Sequence, residues 1–148
     1  MKTRIHAIAG GIGFLTILIF WTSTAISELF ASQETVLVVK AMILKGMFIL
    51  IPAMVIAGGS GMSLGKRRKG NLVTAKKKRM PIIALNGLLI LLPSAWFLAG
   101  KASGGEFDMS FYAVQAIELV AGAANLTMMG MNIRDGLRMT GKLRRTGL

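Results

Sequence analysis

Four long apolar blocks separated by short polar or charged stretches set the pattern of this chain. They run over residues 5–27, 35–62, 80–100 and 111–133. Each reaches the roughly 20 residues that cross about 30 Å of hydrocarbon. The first three read as ordinary membrane-spanning material. The fourth carries a pattern of its own, with Gln115, Glu118, Gly122, Asn125, Met129 and Asn132 recurring at spacings of three and four. That spacing lays them on one stripe of a helix. Amides, a carboxylate and a glycine on a helix otherwise built of Ala, Leu, Val and Met face protein, a water-filled cavity or a ligand, not lipid. The pattern predicts an all-α membrane protein: one integral membrane domain over residues 1–148, folded as a four-helix transmembrane bundle.

Polar residues inside the blocks sharpen this. With a rise of about 1.5 Å per residue, Lys45 falls about 6 Å and Glu118 about 4–5 Å to the same side of the bilayer midplane. Asn86 and Asn125 both fall about 6 Å to the other side. An ionised Lys at a helix centre costs about 2.5–3.5 kcal/mol on insertion scales, so an opposite charge at equal depth is expected. Lys45 is therefore predicted to meet Glu118, and Asn86 to bond Asn125. The alternatives are an interhelical clamp, or a relay and ligand wall that also enlists Gln115 and Asn132. A short likeness between KGMFILIP (45–52) and NGLLILLP (86–93), in spans of opposite direction, is the one hint of an inverted repeat.

Composition agrees with the membrane reading, at 53% hydrophobic residues and a mean hydropathy of +0.62. Charge adds orientation. Of eighteen Lys and Arg, fifteen lie before the first block, in the basic loop 63–79 or in the basic tail 134–148. The positive-inside rule then puts both termini and that loop in the cytoplasm, in the inner (plasma) membrane. The net charge of +12 is assigned to topology and anionic lipid headgroups, not to nucleic acid, because the aromatic residues lie in or beside the apolar blocks. The first block is longer than a signal-peptide core and lacks a clean small-x-small cleavage site. Ala9 and Gly13 form a small-xxx-small pair suited to close helix packing.

Candidate chemistry is sparse. Without cysteine there is no thiolate site, and one histidine with scattered carboxylates makes no zinc site. Gly58-Gly59-Ser60-Gly61 matches a short serine-protease string but misses the full nucleophile elbow. No catalytic or metal residues are assigned, and the reading leans away from an enzyme. Arg134-Asp135-Gly136 and Arg138 read as a helix end tied to lipid phosphates or to the middle loop. His6, followed by Gly10, Gly11 and Gly13, suits an axial ligand of haem b, with Met129 as a second ligand and Arg4, Arg79 or Arg134 pairing the propionates. Three functions follow as expectations: a helper or structural subunit binding a partner or small ligand, translocation of a proton, ion or small solute along a Lys45–Glu118 lane, and a haem electron-transfer protein. Four short spans enclose little volume, so a homo-oligomer or a membrane partner subunit is expected.

Overall fold

The computed structural model describes residues 1–142, which form four long helices joined by short turns. They are α1 (Lys2–Phe30), α2 (Gln33–Arg67), α3 (Asn71–Ser103) and α4 (Met109–Met139), each long and apolar enough to cross a membrane. Each contains one of the predicted blocks and extends beyond it. The described residues are thus all-helical, with four helices of a length and composition that suit a multi-pass membrane protein. Their exterior is apolar, and Phe48, Trp96 and Val120 are among the most exposed side chains.

The largest difference from the sequence expectation is the basic stretch 63–79, which is almost entirely helical. Only Arg68, Lys69 and Gly70 interrupt it. Lys and Arg are good helix formers, and Lys66 and Arg67 in the last turn of α2 complement the negative end of its dipole. Gly70 supplies the reversal with φ 130, a conformation that side chains disfavour. The predicted tail is likewise helical to Met139, and residues 143–148 lie outside the described part.

The other two turns form the opposite, acidic end of the bundle. Ser32 caps α2 by accepting from the Thr35 N–H at 3.3 Å, and Asp108 caps α4 by accepting from the Phe111 N–H at 3.0 Å. Beside Asp108, Lys101 bonds it at 2.8 Å and Glu106 at 2.9 Å. Lys101, Ser110 and the Phe111 amide together hold the Asp108 carboxyl well below the usual carboxylate range.

Inside α3 the helix widens into a π-turn at Gly87–Leu91, where the Leu92 N–H reaches back to the Gly87 carbonyl. Pro93 follows. It has no N–H to donate, and its ring would collide with the carbonyl four residues earlier, so one extra residue in the turn relieves the ladder. Pro52, its counterpart in the internal likeness, sits in an uninterrupted α-helix.

Small residues bring the helices together. Ala9 and Gly13 are buried on α1, as are Ala53 and Ala57 on α2. A Cβ on Gly13 would stand 2.8 Å from Met54 Sδ, and one on Gly122 would stand 2.8 Å from Trp21 Cδ1. Two apolar clusters result: Val36, Leu98, Ala102 and Phe111 toward the acidic end, and Ile17, Ile83 and Met129 deeper. α2 packs along the second half of α3 but sparsely against its first half. That splay opens the basic half of the molecule.

Candidate functional site

The stripe on α4 faces inward as its spacing predicts. Gln115, Gly122, Asn125 and Met129 are buried, and Glu118 and Asn132 are partly so. Its polar members meet partners in three tiers.

At the acidic end the partner of Glu118 is Lys40, not Lys45. Lys40, 1% exposed, lies 3.2 Å from Glu118 Oε2 and donates also to Gln115 Oε1. Gln115 Nε2 donates to the same Glu118 oxygen at 2.9 Å. Lys45 is exposed and makes no ion pair among the described residues. The physical reason is helical phase. Lys40 shares a face with Val36 and Ile43, both buried, whereas Lys45 shares one with Val38, Met42 and Ile49, all exposed. Glu28, from the end of α1, brings a second carboxylate to 3.9 Å from Lys40 Nζ. Its Oε1 is buried without a hydrogen bond.

In the middle tier Asn86 Nδ2 donates to Asn125 Oδ1 at 2.8 Å and to the Ala121 carbonyl at 2.9 Å. Asn125 Nδ2 returns a bond to the Ile83 carbonyl at 3.4 Å. The two amides satisfy each other and two carbonyls, beside the π-turn.

At the basic end Asp135, 1% exposed, accepts from Arg79 at 2.6 Å and from Arg134 at 3.2 Å, while Arg79 also bonds Asn132 at 3.2 Å. Asp135 thus anchors α4 to the start of α3. The sequence reads this aspartate as a helix end tied to lipid phosphates or to the middle loop, and Arg79, at the end of that loop, supplies the second kind of tie. The haem reading also gives Arg79 and Arg134 to propionates. Both guanidiniums are instead held by the carboxylate.

Beside these ties lies a cavity of about 700 Å³ between α1, α2, the first half of α3 and the end of α4. Met47, Met54, Met80, Met129 and a run of aliphatic side chains line its depth. Its charged lining consists of Arg4, Arg68, Lys76, Lys77 and Lys142, with no carboxylate among the described residues.

His6 lies on this wall. Its Nδ1 is 3.0 Å from the Ala57 carbonyl, which can only accept, so the ring carries its proton there and leaves Nε2 as a free lone pair. Ser60 Oγ lies 3.2 Å from the same nitrogen and donates to the Ile56 carbonyl at 2.6 Å, so it is no nucleophile poised by a base. Met129 reaches Gly13, seven residues and about 10 Å deeper along α1 than His6, too far for both to bind one iron. Met80, against Gly61 beside the imidazole, is the nearer thioether.

A second, small cavity of about 50 Å³ sits below Glu118, lined by Trp21, Thr24 and Gly122. Ile17, Met47, Leu50 and Leu91 border both cavities. The sequence signals for Lys40 and Glu28 were their phase on the helix and their place at its end. The cavity has no sequence signal, since it depends on how α2 and α3 diverge.

No family model, curated protein or solved structure matches this chain.

Proposed function

We propose that this protein is a binding protein of the inner membrane, with both termini and the Arg68–Gly70 turn in the cytoplasm, that holds an anionic amphipathic molecule in its basic-end cavity. The observation carrying this reading is the lining: an apolar, methionine-rich interior whose charged groups are all cations. An acyl-like chain is as well accommodated in such a space as among lipid tails, and a phosphate or carboxylate headgroup gains from Arg4, Lys76 and their neighbours. Met side chains adapt to irregular chains better than branched residues do. The three polar tiers support a structural role for the stripe on α4, because their donors and acceptors are largely spent on each other. The basic distribution along the chain supports the orientation.

The test uses the detergent-purified protein and a fluorescent-chain phosphatidic acid, compared with phosphatidylcholine bearing the same chain. Phosphatidic acid is expected to bind at least tenfold more tightly. Arg4→Gln with Lys76→Gln is expected to remove most of that preference, about 1.4 kcal/mol or more. Equal binding of the two lipids, or indifference to the charge removal, overturns the reading.

A second reading is favoured by the His6 tautomer. A ligating imidazole characteristically donates its other N–H to a carbonyl, as His6 does to Ala57. In this reading the cavity holds haem b through His6, with Arg4 still available to a propionate. An absorption spectrum before and after dithionite decides it: a haem band lost in His6→Ala supports haem, and colourless protein from haem-supplemented cells removes it.

A further inference from the structure

The cluster at the acidic end is over-supplied with carboxylate. Glu28 and Glu118 face a single ammonium, that of Lys40, and the three side chains are 10%, 13% and 1% exposed. With all three ionised the group would hold a net negative charge in a low-dielectric setting. Such pairs of acids relieve the charge by taking up a proton between them. Hydrogen bonding decides which acid is ionised. Glu118 Oε2 receives both Lys40 and Gln115 Nε2, at 3.2 and 2.9 Å. Glu28 Oε1 receives none, although it is buried and 3.9 Å from Lys40. The charged and titratable groups facing Glu28 are Lys40 from α2 and Glu118 from α4, with Gln115 as the neutral member.

We infer that Glu28 is a proton-binding site: the cluster carries one exchangeable proton, held on Glu28, with Glu118 ionised and Lys40 as the fixed counter-charge. Glu28 lies two residues from the end of α1, so water at the acidic end exchanges with it directly. Loss of the proton leaves two carboxylates competing for Lys40 and loosens the tie between α2 and α4.

The experiment is infrared difference spectroscopy of the full-length protein in lipid at neutral pH, in light and heavy water. Wild type is expected to show the C=O stretch of one protonated carboxylic acid. Glu28→Gln is expected to abolish it. Glu118→Gln is also expected to abolish it, because Lys40 then pairs with an ionised Glu28. Lys40→Met is expected to roughly double it as the second acid takes a proton. Dicyclohexylcarbodiimide, which reacts with protonated acids in apolar settings, is expected to label wild type at Glu28, mapped by mass spectrometry. No band in wild type, a band that persists in Glu28→Gln, or an adduct on Glu118 alone overturns the inference. The labelling arm uses wild type only, so it stands even where a variant misfolds.

Discussion

Five residues, or about 140° of helical phase, separate the two lysines of α2. Lys40 is enclosed by Gln115, Glu118 and Glu28, whereas Lys45, five residues on, is turned outward. Removing one partner of a buried ion pair strands the other. Lys40→Met is therefore expected to lower stability by about 3–5 kcal/mol. Lys45→Met gives up no bond and is expected not to lower it. Unfolding in mixed micelles checks both, and equal losses would return the ion pair to Lys45. The amides follow the same logic at smaller scale. Asn125→Leu leaves Asn86 short of an acceptor and is expected to cost about 1–2 kcal/mol. The double variant with Asn86→Leu is expected to cost less than the sum of the two singles, because the orphaned partner is gone too.

At the scale of the element, glycine seats and caps set where helices meet and stop. The indole of Trp21 lies on Gly122 and donates to the Leu119 carbonyl at 2.8 Å, locking α1 to α4. Gly122→Ala forces the ring away and is expected to cost about 1–3 kcal/mol, with a shift in tryptophan emission as the readout. Unchanged emission would mean the seat has room to spare. The α3–α4 turn depends on pH. The Asp108 carboxyl is held below its ordinary value of 3.8, so its contribution is complete above that value and fades as pH falls through the folded one. Acidification below about 4 is expected to lower the protection of the Phe111 amide relative to its intrinsic exchange rate at the same pH, and Asp108→Ala to abolish that loss of protection. Most of the elements were legible in the sequence, because block length and the three-four stripe are properties of one helix at a time. The π-turn before Pro93 was not, since Pro52 in a like sequence leaves α2 regular.

For the whole molecule, the up-down order puts the start of α1, the end of α4 and the Arg68–Gly70 turn at one end and both other turns at the opposite end. The chain has no cysteine, so introduced ones report alone. Gly70→Cys is expected to react with a membrane-impermeant maleimide from the same side as an N-terminal tag, and Gly104→Cys from the other side. Labelling of both from one side would break the four-span topology.

The sequence by itself determined four apolar blocks long enough to cross a membrane, which face of α4 turns inward, and that its buried acid needs a cation. Those follow from transfer energies and helical period, which act locally. Only the tertiary structure decided that the cation is Lys40, that Glu28 joins it, and that Asp135 takes up Arg79 and Arg134. It also decided that α2 and α3 part to leave a cation-rimmed cavity. Pairing depends on the relative rotation and depth of separate helices, and a void is the space that packing fails to fill; neither is a property of any one segment.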